Sequence, residues 1–231
     1  MRNSLLLIKP ILIVTFLLTV ELIANEQFNF NVTEIEIKEN GNKFFGKKGG
    51  VATTDDGLLI EAKEFEYDKI LNILIANKKV KFNDEKKNFL IFTDRATYLK
   101  NEEKLYTEGN SKAIHENGIV VTANELRYNK YKNTLDAIGD VKIIDPNIDT
   151  VIYAEKVTYF KNEEKIITNG KTKAIVETKY TFKSNDLVFL RNEMKLISNN
   201  YSTIVEKHST IYEHEIFIYF LIKKVLKGED A

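Results

Sequence analysis

The chain has no cysteine, no tryptophan and only two prolines among its 231 residues, and its 34 basic residues are matched by 34 acidic ones. Without cysteine there is no disulfide, no thiolate nucleophile, no cysteine-ligated zinc and no lipid-modified N-terminal cysteine, so packing alone has to hold the fold. Dispersed charges that sum to zero give no sign of the sustained basic face that phosphate backbones require, and nucleic acid is not an expected partner. Scarce proline suits long strand ladders, because proline cannot donate to them. Apolar runs are few: Ile11 to Val20, and Ile216 to Ile222 near the other end. The second is too short to span a bilayer and is read as a strand.

What the chain does have is a repeat. Tyr67, Tyr98, Tyr128, Tyr159 and Phe189 stand at successive intervals of 31, 30, 31 and 30 residues. Seven positions before each lies a large apolar residue (Ile60, Ile91, Val121, Ile152, Phe182), and five before lies a small one (Ala62, Thr93, Ala123, Ala154, Ser184). Seven positions after come Leu74, Leu105, Leu135, Ile166 and Leu196, and nine after come Ala76, Thr107, Ala137, Thr168 and Ser198. A fixed period in this range marks a stacked architecture whose units bury their apolar faces against their neighbours. The pattern extends outward through Phe30, Val32, Ile35, Ile37 and Phe44 on one side and Tyr212, His214, Phe217 and Tyr219 on the other, where it stops within a repeat.

Residues 1–24 read separately. Arg2 and Lys9 precede the apolar run, and Glu21 and Asn25-Glu26 end it, as in a secretory signal. Cleavage after Ala24 and retention as an anchor both remain open, since Leu22 stands where a small residue is usual. Either way the segment implies export, which in a two-membrane bacterium leads to the periplasm. Residues 25–231 are then expected to form a single elongated domain.

Within each repeat the apolar positions run at intervals of two, shift by three, and resume at two, as in Val121, Ala123, Leu126 and Tyr128. A period of two is that of a strand, and a three-residue step in the same place each time predicts a bulge or bend that curls the sheet. The second half of the repeat reads as one strand with five inward positions, Leu135, Ala137, Gly139, Val141 and Ile143. Polar, asparagine-rich segments such as Lys161-Asn162-Glu163-Glu164-Lys165 and Asn83-Asp84-Glu85-Lys86-Lys87-Asn88 recur about every 15 residues and predict turns. Turns that close leave no room for a crossover helix, so consecutive strands are expected to pair antiparallel in an up-and-down meander. A parallel β-helix of the same period is the alternative. Position plus eleven is Gly109, Gly139, Gly170 and Asn200, with Lys78 as the exception in the first full repeat; a glycine there reads as a corner where a side chain would collide, or as space for a ligand.

Leu135-Asp136-Ala137-Ile138-Gly139-Asp140-Val141-Lys142, together with Ala123-Asn124-Glu125-Leu126-Arg127-Tyr128 and Ala154-Glu155-Lys156-Val157-Thr158-Tyr159, resembles the motif of the OstA-like family of lipopolysaccharide transport proteins. The family includes the bridge protein LptA and the N-terminal domain of LptD, the second being the more similar, and the likeness spans roughly Phe28 to Ile204. The resemblance implies an all-β fold, an antiparallel β-jellyroll or β-taco with two strands per repeat. It also implies an apolar groove for the acyl chains of lipid A, and association with other Lpt jellyrolls by edge-strand addition. LptD continues into a barrel, whereas this sequence ends at Ala231. The expectation is a barrel-less relative resembling LptA, an anchored one like LptC, or a truncated LptD.

No acid, base and nucleophile set can be assembled, so no enzyme is expected, and no cofactor. His208 and His214 lack zinc spacing, Asp55-Asp56-Gly57 lacks the further oxygens of a calcium loop and reads as a turn, and Gly46-Lys47-Lys48-Gly49-Gly50 lacks the spacing of a phosphate loop. The candidate groove lining is Ile91, Tyr98, Leu105, Val121, Leu126, Tyr128, Leu135, Val141, Ile152 and Tyr159. Two sheets in contact and two sheets parted by acyl chains produce the same alternation, so these residues are core or lipid contacts. The small residues at minus five and plus nine favour a groove, because a dry core gains about 25 cal/mol per Å² by filling them.

Overall fold

A computed structural model describes residues 28–207, 211–221 and 225–229. The N-terminal segment 1–24 and His208 lie outside them. The described strands are β1 (Asn29–Lys38), β2 (Lys43–Thr53), β3 (Leu58–Ala62), β4 (Glu64–Asp68), β5 (Ile73–Asp84), β6 (Phe89–Leu99), β7 (Lys104–Glu108), β8 (Ser111–His115), β9 (Val120–Ala123) and β10 (Glu125–Asn129). They continue as β11 (Thr134–Asp145), β12 (Thr150–Phe160), β13 (Lys165–Val176), β14 (Tyr180–Leu190), β15 (Lys195–Ser198), β16 (Ser202–Glu206), β17 (Ile211–His214), β18 (Ile216–Phe220) and β19 (Val225–Glu229).

Every pairing between consecutive long strands is antiparallel, as between β5 and β6, β11 and β12, β12 and β13, and β13 and β14. The parallel β-helix is thereby excluded, and the fold is an all-β roll of the jellyroll type. Short 3-10 turns at Glu85–Lys87, Lys100–Glu102, Pro146–Ile148 and Lys161–Glu163 fall on the predicted polar segments.

The three-residue step is a bend that faces a bulge in the neighbouring strand. Register shifts occur between Asn77 and Val80, between Ile138 and Val141, between Tyr153 and Lys156, and between Asn169 and Thr172. Aligned across neighbouring strands, they form a crease along which one sheet folds over itself. At the crease the leading strand of a repeat either bends, as in β6 and β12, or breaks, as between β9 and β10.

The crease also corrects the reading of β11. Its inward positions are Leu135, Ala137, Val141 and Ile143, whereas Gly139 is only half-buried and belongs to the bulge with Asp140. Gly109, Gly139 and Gly170 have φ of +77°, +77° and +83°, and a Cβ on them would stand 2.8 Å from Asp94 Oδ2, 2.7 Å from Asn124 Nδ2 and 2.6 Å from Glu155 Oε2. Of the two readings, the glycines are corners. Lys78 takes the same left-handed conformation at φ 66°.

The small residues have a structural reason as well. Thr107, Thr168, Thr172 and Ser198 are buried at the crease, where hydroxyls bond across the bend: Thr172 Oγ1 donates to Thr168 Oγ1 at 2.7 Å, and Ser184 and Ser198 stand 2.7 Å apart. Close approach of the two halves limits their size, which removes their weight as an argument for a groove.

The ends of the array are open on the described residues. Strand β1 pairs with β2 alone, and its Ile35 and Ile37 are 52% and 56% exposed. At the other end β17 pairs with β16 and β19 with β18. Strand β16 is interior, with Thr203 between Lys183 and Glu213.

Candidate functional site: the interior and its charged lip

The repeat aromatics form one row. Tyr98 stands opposite Leu105, Leu105 opposite Tyr128, Tyr128 opposite Leu135, and Leu135 opposite Tyr159. Tyrosines thus alternate with leucines along the inner face of one half of the roll, the aromatic half, because zero and plus seven of each repeat are cross-strand partners. Leu126 lies on the same half toward the crease, opposite Ala137. Ile91, Val121 and Ile152 belong to the row of the facing half, linked through Ala113 and Ile143, and Val141 lies near the crease opposite Ala154.

The two rows touch. The Phe82 ring centroid is 5.7 Å from that of Tyr98 and 6.1 Å from that of Tyr128, and Phe89 is 4.8 Å from Tyr128. Every candidate lining residue is buried, the most exposed being Val121 at 3%. In this state the interior is a packed apolar core. It reaches the surface beside β1, where a cavity of about 280 Å³ lies among Phe28, Phe30, Ile35, Phe44 and Tyr67. Another cleft, of about 670 Å³, lies outside the crease among Asp140, Tyr153, Glu155, Lys171 and Tyr201, and meets the candidate set only at Val141.

Opposite the crease the turns of the two halves meet in a lip, and there the phenols end. Tyr67 donates to Asn72 at 3.0 Å, Tyr98 to Glu103 at 2.9 Å and Tyr159 to Glu164 at 3.2 Å, in each case to the residue five positions on. Tyr128 instead donates to Asp84 at 3.4 Å. Burial and these carboxylates push the Tyr159 phenol up to about 12, and raise Tyr98 and Tyr128 as well.

Two residues beyond each aromatic stands a cation, Lys69, Lys100, Lys130, Lys161 or Arg191. Lys130 crosses the lip to Asp56 and lies 3.3 Å from Glu103 and 4.0 Å from Asp84. Lys100 is 2.6 Å from Glu103 and 3.6 Å from Asp56. Arg191 Nε donates to Asp145 at 2.8 Å, while its Nη1 donates to Glu164. Lys161 donates to the Lys87 carbonyl and stands over the Phe89 ring at 5.6 Å. Burial works against charge on Lys130 and Arg191, but their carboxylate partners prevail and raise both pKa values. For Asp84 burial prevails over Lys130, and its pKa is raised.

Asp84, His115 and Asp145 occupy one repeat position and share one local role. Asp84 accepts from the Lys87 N–H at 3.1 Å and Asp145 from the Asn147 N–H at 3.2 Å, capping the turn that follows. His115 does the same through Nδ1, which accepts from the Asn117 N–H at 3.3 Å, while its Nε2 has no hydrogen-bond partner among the described residues. Burial lowers the pKa of this imidazole.

The lip does have a signal in the sequence, an unbroken column of cations two places after each aromatic. Among the described residues no group of carboxylates and histidines could hold a metal, and Asp56 lies in a turn closed by the Gly57 N–H on the Thr54 carbonyl at 3.0 Å.

No family model and no curated protein matches the chain. Among solved structures it is similar to LptH, the LptA-homologous periplasmic component of the lipopolysaccharide transport device of Pseudomonas aeruginosa, with 14% identity, 64% of this chain and 86% of that chain covered, and a TM-score of 0.42. It is also similar to the TCP10 domain of Danio rerio CPAP in complex with a peptide of STIL, with 9% identity, 79% and 98% covered, and a TM-score of 0.15. Neither score is high enough to establish a shared fold, so the all-β assignment stands on this chain's own strand pairings.

Proposed function

We propose that this chain is a non-enzymatic periplasmic carrier of lipopolysaccharide of the OstA-like kind, holding lipid A acyl chains between the two halves of the roll. The observation that carries the proposal is the continuous inner row in which Tyr98, Leu105, Tyr128, Leu135 and Tyr159 follow one another without a charged side chain, inside a roll whose end strand has a free edge. With the sequence resemblance, this is the arrangement a lipid conduit joined edge to edge requires. Because the core is closed, lipid enters as the lip parts, with acyl chains replacing the contacts between Phe82 and Phe89 on one side and the tyrosines on the other. The sugars stay in water, and no bond is made or broken.

Photo-crosslinkers at Leu126 and Leu135 should capture lipopolysaccharide in cells, and repeated failure beside a working control rejects the reading. The burial of the whole candidate lining supports a second reading, an adaptor that docks proteins through its sheet edges and never holds lipid. Purified protein that retains a dry core and releases no lipid on denaturation favours that one.

A further inference from the structure

The outer surface of the facing half is sorted by polarity into parallel rows. Across β6, β8, β9, β11, β12 and β13, Leu90, Ile114, Val120, Ile144, Val151 and Ile175 are successive cross-strand neighbours. They point outward, being half-buried while the residues beside them, such as Ala113, Val121 and Ile143, form the core. This apolar row runs beside the turns of the lip.

Two residues along each strand toward the crease lies a second row. Lys112 stands opposite Thr122, Thr122 opposite Lys142, Lys142 opposite Tyr153, Tyr153 opposite Lys173, and Lys173 opposite Lys183. At strand spacing it extends about 24 Å. Tyr153 is 40% exposed, with the Lys142 and Lys173 ammoniums 5.7 Å and 6.0 Å from its ring centroid.

Folding alone does not favour this row. Like charges directly opposite one another, as Lys173 and Lys183 are, destabilise a sheet. Among the described residues, Lys112, Lys142, Lys173 and Lys183 form no ion pair, whereas three outer cations of the aromatic half do: Lys104 is 2.6 Å from Glu102, Arg127 2.5 Å from Glu125 and Lys195 3.5 Å from Glu193. In a chain with as many acids as bases, the row from Lys112 to Lys183 holds four lysines and no acid.

We propose that this face docks on the surface of a membrane leaflet rich in anionic phospholipid. The apolar row enters the boundary between headgroups and acyl chains, and the lysine row reaches the phosphates. Charge complementarity selects this occupant, and the adjacent apolar row gives it something to bury, the same pairing by which amphipathic helices lie at an interface. The exposed Tyr153 suits the headgroup level, where amphipathic rings collect. This inference stands apart from the fate of the interior.

The absence of tryptophan gives a direct test. Strand β13 carries Ile175 on the outside of the facing half and Ile167 on the outside of the aromatic half, so Ile175→Trp and Ile167→Trp place one fluorophore on each face. The full chain is mixed with vesicles of equal parts phosphatidylcholine and phosphatidylglycerol bearing brominated acyl chains. The Ile175→Trp emission should be quenched, and should recover in high salt or with phosphatidylcholine alone, while Ile167→Trp stays unquenched. Lys142→Gln and Lys173→Gln, both surface changes, should each lower vesicle binding about fivefold without moving the melting midpoint. Equal quenching at both positions, or none at Ile175→Trp, overturns the proposal. The second outcome covers attachment through the N-terminal apolar run alone, and a face used for a protein instead.

Discussion

Lys130 donates to Asp56, 74 residues earlier, and so ties the turn of one half of the roll to the turn of the other. The pair is one rung of a ladder along the lip, where a base from the aromatic half meets an acid or a carbonyl from the facing half at Lys100, Lys130, Lys161 and Arg191. These contacts hold shut the side through which the proposed cargo has to pass.

Lys130→Met should destabilise the fold by about 3 kcal/mol, because it leaves Asp84, whose side chain is only 3% exposed, without its nearest cation. Adding Asp84→Asn should return a large part of the loss, since a neutral amide no longer needs a counter-charge. Urea melts of both variants against the parent check this, and additive losses contradict it.

His115 stands where the neighbouring repeats have Asp84 and Asp145, and Lys161 stands where they have Lys130 and Arg191. Burial keeps the imidazole pKa below its usual value, near 6.5, so the unfolded chain takes up the proton first. The contribution of His115 is present above about pH 6.5 and is lost as the pH falls below it. His115→Asp should abolish that part of the acid sensitivity, retain the turn cap and supply Lys161 with a carboxylate, for a gain of about 1 kcal/mol at neutral pH. Melting midpoints of parent and variant between about pH 7 and about pH 5 should diverge as the pH falls; parallel curves contradict the assignment.

Gly139→Ala should cost about 1 to 3 kcal/mol, since φ is +77° and the new Cβ stands 2.7 Å from Asn124 Nδ2. Lys78→Gly, at the equivalent corner, should stabilise by up to about 1 kcal/mol even after loss of the exposed ion pair to Glu64. Opposite signs in the two melts are the expected result.

Much of this fold is legible in the chain, because alternation, phase break and turns recur often enough to reinforce one another. The crease follows from a three-residue step such as Ala154 to Val157, and the antiparallel order follows from the closeness of the turns. The pairing of Tyr128 with both Leu105 and Leu135 follows from the constant offset between the aromatic and plus seven. What was not legible depends on three dimensions. Gly139 keeps the parity of an inward position, yet the bulge it forms with Asp140 takes it out of the core. Small residues at the crease looked like room for a ligand and are limited by the bend itself. The lip cations looked like ordinary turn lysines, since their acids lie far away in sequence. Whether the interior ever holds lipid is not written in the alternation, because acyl chains and side chains call for the same apolar surface.

Ile35→Glu and Ile37→Glu on β1 should leave stability within about 0.5 kcal/mol, as both residues are more than half exposed. The same changes should weaken association through that edge if the chain joins partners by strand addition. Thermal melts and pull-downs on one set of preparations separate the effects, and equal loss in both contradicts a docking role.

The most direct test of the carrier account is to fasten the lip. The chain has no cysteine, so Asp56→Cys with Lys130→Cys gives a pair of thiols that a cleavable bifunctional maleimide can bridge, and lipopolysaccharide uptake is then measured before and after cleavage. The account predicts little uptake while the bridge is intact and recovery once it is cut. Equal uptake in the bridged and cut forms, or none in either, contradicts it.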